Sequence, residues 1–130
     1  MIAKAKEYGL EKNLIFPGYI KGRDYLSICD LMILPSAQEG FGIVNVESFS
    51  MGVPVIRTKT GGYEDMSDCC FGIQYGDVKG LTELLEKFFS NSTIFAEQAE
   101  YSRKNVNRFS VKYMVEQYVN VYRNAFERNK

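Results

Sequence analysis

Apolar residues along this chain fall into two rhythms that take turns. Ile2, Ala5 and Leu10 follow helical spacing, and Gly9-Leu10 closes the stretch. Leu14-Ile15-Phe16 is an unbroken apolar run stopped by Pro17-Gly18, which predicts a short strand. Arg23 to Cys29 predicts a short helix on Tyr25, Leu26 and Ile28, and Leu31 to Leu34 predicts a buried strand. Gly42 to Met51 is ambiguous, because β-branched Ile43, Val44 and Val46 would also suit a strand. A helix is predicted there. Gly52 suits a C-terminal cap, and the strand Val53-Pro54-Val55-Ile56 starts at once. Two strands in succession would be parallel neighbours with no crossover between them.

Arg57 to Gly62 reads as a loop with a double glycine, Tyr63 to Met66 as one helical turn, and Phe71 to Tyr75 as a weak strand closed by Gly76-Asp77. Three helices follow. Val78, Leu81, Leu84, Leu85 and Phe88 mark the first, with Asp77 as its N-cap. Phe95, Ala99, Ser102 and Val106 mark the second; Val111, Met114, Val115, Tyr118, Tyr122 and Ala125 mark the third, capped by Ser110. Strands alternating with helices predict an α/β fold, a Rossmann-like parallel sheet with helices on both faces, in one domain over residues 1–130. Ligands of such sheets sit outside the carboxyl ends of the strands. That rim carries both glycine loops, Pro35 to Phe41 and Thr58 to Gly62.

Composition narrows the chemistry. Lys+Arg and Asp+Glu number 16 each, so the basic footprint of a nucleic-acid binder is missing. No apolar run approaches membrane-spanning length and the first residues lack a signal-peptide core, while the cysteines, read as free thiols, predict a reducing, cytoplasmic setting. There is no histidine, which removes Ser-His and Cys-His nucleophiles and the commonest metal ligand. Cys29, Cys69 and Cys70 are odd in number and lack C-x-x-C spacing, so they read as free thiols. Chemistry must then rest on carboxylates, backbone amides, Lys and Arg.

The stretch Pro35 to Glu47 concentrates such groups. Glu39 and Glu47 enclose seven residues, with the turn Gly40-Phe41-Gly42 among them. Strand, glycine loop and helix start form the arrangement with which α/β folds hold phosphorylated ligands. Either acid could also be a solvated surface residue, and the double glycine a plain turn. Arg57 and Lys59 read as solvated loop charges, or alternatively as phosphate cations.

The residues resemble a known family. Asn13-Leu-Ile-Phe-Pro-Gly18, Asp30-Leu-Met-Ile-Leu-Pro-Ser36, Glu39-Gly-Phe-Gly-Ile-Val-Asn-Val-Glu47, Gly52-Val-Pro-Val-Ile56, Gly61-Gly-Tyr-Glu64 and the Phe109-Ser110 helix are similar, in order, to the C-terminal half of a GT-B glycosyltransferase of the family 4 type. The resemblance implies a domain that binds a nucleotide-activated sugar for transfer, with retention, to a saccharide or lipid-linked acceptor. Glu39 would meet the donor sugar's hydroxyls as the catalytic-site carboxylate. Gly40, Phe41, Gly42 and Ile43 would offer backbone amides to sugar and diphosphate, and Glu47 would hold the ribose. No metal or other cofactor is expected.

In that family the C-terminal domain opens with two further strands and a loop bearing an Arg and a Lys, and an N-terminal domain carries most of the acceptor site. The resemblance implies that this chain starts downstream of both strands, as a truncated piece with little or no transferase activity alone. The sheet would then close Leu14–Phe16 onto Leu31–Leu34, take a partner in the gap, or belong to something longer, which is the expectation adopted; an exposed edge would also invite self-association. Two other readings are a non-catalytic module docking on a chain that supplies the missing half, and a glycoside hydrolase using both acids. The second needs the carboxyls to flank one bond, roughly 5 to 9.5 Å apart.

Overall fold

The computed structural model describes residues 1–128. In chain order it contains α1 (Ile2–Glu7), α2 (Gly22–Leu26), β1 (Met32–Leu34), α3 (Ile43–Met51), β2 (Val55–Thr58), a 3₁₀ segment (Glu64–Cys69), β3 (Phe71–Ile73), α4 (Val78–Ser90), α5 (Thr93–Asn105), a second 3₁₀ turn (Val106–Phe109) and α6 (Val111–Arg128). The three strands form one parallel sheet in the order β1-β2-β3, with Leu34 opposite Arg57 and Arg57 opposite Gly72. The parallel α/β class predicted from the alternating pattern is therefore present.

The side-chain period of two divides β2 between two cores. Val55 faces Phe49 of α3 together with Met66, Cys69 and Cys70, all buried, with Val106 and Phe109 packed against them. Ile56 faces the opposite side, where Ile73 and Phe95 are joined by Leu81, Leu84, Leu85 and Phe88 of α4. On α4 the packed stripe follows from apolar residues that recur at three- and four-residue steps, whereas α3 turns Phe49 with the polar Asn45 and Ser48 to the core.

Local signals set the helix ends. Gly42, at φ 82°, precedes α3, and Gly52, at φ 70°, ends it. The closing turn is a Schellman arrangement, with Val53 N–H donating to the Ser48 carbonyl at 3.0 Å. Asp77 caps α4 by accepting from Gly80 N–H at 2.8 Å, and Ser110 Oγ accepts from Tyr113 N–H at 3.2 Å at the start of α6.

Three expectations need correction. Leu14–Phe16 is not a strand. Among the described residues it has no strand partner, it does not close onto β1, and Ile15 is 85% exposed. Three apolar residues cannot persist as a strand without a ladder to join. The strand expected at Val53–Ile56 is shifted to Val55–Thr58, because Val53 is consumed by the α3 cap and Pro54 has no N–H. The turn expected at Tyr63–Met66 continues as 3₁₀ structure to Cys69.

The sheet's second layer is tied down by a polar cluster. Arg108 grips Asp68 with both terminal nitrogens, Nη1 lying 2.7 Å from Oδ2, and the Tyr101 hydroxyl donates to the same oxygen at 3.0 Å. Hydrogen bonding from Arg108 lowers the Asp68 carboxyl from 3.8 to about 2. A depressed carboxyl contributes stability that is complete above its unfolded value and lost as pH falls through its folded value. The pair is partly exposed, so its worth is at most about 1 kcal/mol. Asp68→Asn should lower the urea midpoint at neutral pH, and the difference from the parent should shrink as pH falls from 3.8 to about 2. Urea titrations followed by circular dichroism at stepped pH measure this; a constant difference across the window contradicts it.

Candidate functional site

The carboxyl ends of β1 and β2 each release a loop, and the two loops meet. Residues Ala37, Gln38, Glu39 and Gly40 from one, and Thr60 and Gly61 from the other, line an open cleft of about 630 Å³. Two adjacent residues at the end of β2 hold the loops together. Thr58 Oγ1 donates to the Ser36 carbonyl at 2.6 Å, anchoring the first loop where it leaves β1. Arg57, fully buried, sends its guanidinium up between the loops. Its Nη2 lies 2.7 Å from the Gly61 carbonyl, Nη1 lies 3.3 Å from the Phe41 carbonyl and 3.0 Å from Met66 Sδ, and Nε lies 3.3 Å from the Thr58 carbonyl. Arg57 is therefore not a solvated loop charge or an exposed phosphate cation. Lys59 is exposed, its ammonium 5.8 Å from the centre of the Tyr63 ring.

The double glycine is required by contact. A Cβ on Gly61 would overlap the carbonyl oxygens of Glu39 and Gly40, and one on Gly62 would lie 2.6 Å from the Phe41 carbonyl. Gly62 also has φ 72°. These glycines let one loop backbone lie directly on the other.

The residues singled out in the sequence are placed as follows. Glu39 is half-buried on the cleft wall, and Gly40 is exposed beside it. Phe41 turns its ring towards Phe109, with centroids 6.0 Å apart, while its carbonyl points to Arg57. Gly42 is the left-handed N-cap of α3, with its carbonyl held by the buried Asn45 amide at 2.8 Å, and Ile43 is the first helical residue. The amides of Gly40 to Val44 donate to no acceptor among the described residues. Those of Gly42, Ile43 and Val44 lie at the positive end of the α3 dipole, and no acidic residue in the first turn neutralises it.

Glu47 lies one turn further on, exposed and outside the cleft lining. Neither the Glu39 nor the Glu47 carboxylate has a partner among the described residues. The structure thus groups Glu39 and Gly40 with Thr60 and Gly61. Sequence reasoning missed the supports, Arg57 and Thr58. The available signal was that extending the strand by two residues would bury both.

Cysteine chemistry is disfavoured at Cys69 and Cys70. All three cysteines are unpaired. Burial pushes the Cys70 thiol up to about 12 and raises that of Cys69. A buried protonated thiol is a poor nucleophile.

Two glycine substitutions separate contact from conformation. Gly40→Ala adds a methyl to open space and should change stability by no more than about 0.5 kcal/mol. Gly61→Ala forces the loops apart and should cost about 1–3 kcal/mol. Thermal unfolding of the two variants beside the parent measures both; equal midpoints would show that the loops do not touch.

Comparison with known proteins agrees with this architecture. Residues 1–108 match the family described as glycosyl transferases group 1. N-acetyl-alpha-D-glucosaminyl L-malate synthase of Bacillus anthracis is 27% identical over 130 residues, covering 96% of this chain and 34% of the synthase. The capsular polysaccharide biosynthesis glycosyltransferase CapM of Staphylococcus aureus is 30% identical over 97 residues, covering 72% of this chain and 26% of CapM. The chain thus spans about a third or less of the length of these curated relatives. Anabaena HepE, solved in complex with UDP, superposes with a TM-score of 0.83 at 25% identity, over 94% of this chain and 35% of HepE. A Thermosynechococcus elongatus sucrose-phosphate synthase gives 0.81 at 23% identity, over 96% of this chain and 33% of the synthase. The chain belongs to the group 1 glycosyl transferases, and its fold is that of the matching part of GT-B enzymes.

Proposed function

We propose that the cleft binds a nucleotide-activated sugar, and that the chain serves as the donor-binding part of a retaining glycosyltransferase acting on a saccharide or lipid-linked acceptor. One observation carries this reading: a free carboxylate, Glu39, stands beside a run of unpartnered amides at the start of α3. A carboxylate accepts from two neighbouring sugar hydroxyls and so fixes the ring. The amides of Gly40, Phe41, Gly42 and Ile43 suit the diphosphate, whose charge grows as the glycosidic bond breaks, so fixed donors help most in the transition state. Glu47, further along α3, is assigned to the ribose hydroxyls. HepE, the neighbour solved with UDP and with UDP-glucose, makes a uridine donor the first to try. The roles need no metal. The reading includes a cytoplasmic setting; among the described residues no helix is long and apolar enough to cross a membrane. Acceptor binding and turnover are assigned to a second domain, and the 130-residue chain alone is expected to be inactive.

The glycoside-hydrolase reading has no support, since Glu47 does not line the cleft that holds Glu39. The docking-module reading has one observation in its favour: every described residue of α6 is exposed, including Val111, Met114, Tyr118 and Val121. It predicts association, which a sedimentation mass in solution tests; a monomer at high concentration speaks against it.

Titration with UDP-, GDP- and ADP-sugars tests the donor site. One should bind saturably, and the absence of binding by all three ends the proposal. Glu47→Gln should weaken the free nucleotide diphosphate about tenfold or more, as for a lost charge-assisted hydrogen bond. Glu39→Gln should leave that affinity nearly intact and weaken only the sugar-bearing donor. Calorimetry with the diphosphate and with the intact donor separates the two.

A further inference from the structure

We propose that Arg57 is a positioning residue for the diphosphate: its buried guanidinium turns the peptide units of both loops so that their amides face the donor, and adds positive field beneath them. The proposal rests on the cleft being a nucleotide-sugar site.

A trans peptide is planar, and its C=O and N–H point in opposite directions. No peptide bond among the described residues is cis. The Phe41 carbonyl is drawn inward to Arg57 Nη1, so the N–H of Gly42, on the same peptide unit, points away from the core. The Gly61 carbonyl is drawn to Nη2, which turns the N–H of Gly62 outward in the same way. Without the guanidinium both carbonyls would lack these donors, and either peptide could rotate and present oxygen where an anion needs N–H. Gly42 in particular has the backbone freedom to do so.

The charge itself is the second half of the argument. No carboxylate among the described residues pairs with Arg57; its recorded acceptors are three carbonyls and a thioether. A buried cation compensated only by dipoles attracts an anion placed nearby, and water screens it weakly. Arg57 Nη1 lies 3.5 Å from the Cβ position of Gly42, the cap of α3. The cation thus adds to the helix terminus at the point where the amides are free. It is sealed below the loop backbone, so it acts through orientation and field and need not touch the donor.

A neutral nucleoside separates this role from general support of the cleft. The full chain, with Arg57→Met and Arg57→Lys, is titrated with UDP and with uridine by calorimetry. Arg57→Met should raise the Kd for UDP about tenfold or more while changing that for uridine by less than about twofold. Arg57→Lys keeps the charge but cannot span both carbonyls, and should recover only part of the UDP affinity. If Arg57→Met does not fold, Arg57→Lys decides alone: the same selective loss of UDP over uridine supports the proposal. Equal weakening of both ligands, or no change in either, overturns it. If the parent chain binds neither, the comparison is made with the diphosphate and nucleoside of the base it does bind, and a parent that binds none of UDP, GDP and ADP ends the underlying donor-site reading instead.

Discussion

A single cation at the end of the middle strand governs how the rim is built. Arg57 occupies a fully buried position in β2, between half-buried Leu34 and Gly72 on the neighbouring strands, and it reaches two loops that are sixteen and four residues away in sequence. Burying a guanidinium among apolar groups is costly, and a well-packed hydrophobic side chain would often be at least as stable there. An aliphatic chain, however, could not bond two carbonyls at once. The planar fork can, because its donors point in fixed and divergent directions. Thr58 does the equivalent work on the other face of the strand, with the Ser36 carbonyl as acceptor. Two consecutive residues of one strand therefore fix both ends of the first loop, one from each side of the sheet.

This arrangement explains why the cleft is made largely of backbone. Gly61 and Gly62 lie so close to the Glu39–Phe41 chain that no side chain fits between. Loops locked in this way lose little entropy when a ligand arrives, which is the physical content of preorganisation. The side chains that remain free at the rim are then few, and the carboxylate of Glu39 is the charged one on the cleft wall. Glu47 is carried by a different kind of support, the rigid α3 helix, whose underside is held by buried Phe49, Ser48 and Asn45. Loop and helix thus deliver the two acids independently, while Gly42 joins the two supports.

Much of this was legible in the sequence because it rests on local rules. The α3 helix was read against its β-branched composition from Gly52 and the strand that follows, and tertiary packing of Phe49 outweighs the weak propensity of Ile43, Val44 and Val46. Caps at Asp77 and Ser110 were legible because a cap depends on its own few residues. Leu14–Phe16 was misread because strand identity depends on a partner, which no property of three residues reveals. Arg57 was misread for a related reason. Its charge argued for solvent, whereas its place two residues beyond Val55 on a central strand argued for burial; counting β2 as ending at Ile56 hid the conflict. The Asp68–Arg108 pair spans forty residues, and nothing in local pattern links such positions.

Exposure along α6 bears on the same rim. No residue of α6 is buried, yet an eighteen-residue helix with so little packing is only marginally stable in water. Its apolar face, together with Phe41, Phe109 and Arg108, borders a groove of about 590 Å³. Phe109 fixes the start of that helix by packing between Phe41 and Phe49, at 6.0 and 6.1 Å between ring centres. Phe41 consequently has two faces in the argument. Its ring belongs to the groove under α6, and its carbonyl belongs to the grip of Arg57 on the cleft. Groove and cleft are therefore separated by one peptide unit: Phe41 lines the groove, and its neighbour Gly40 lines the cleft.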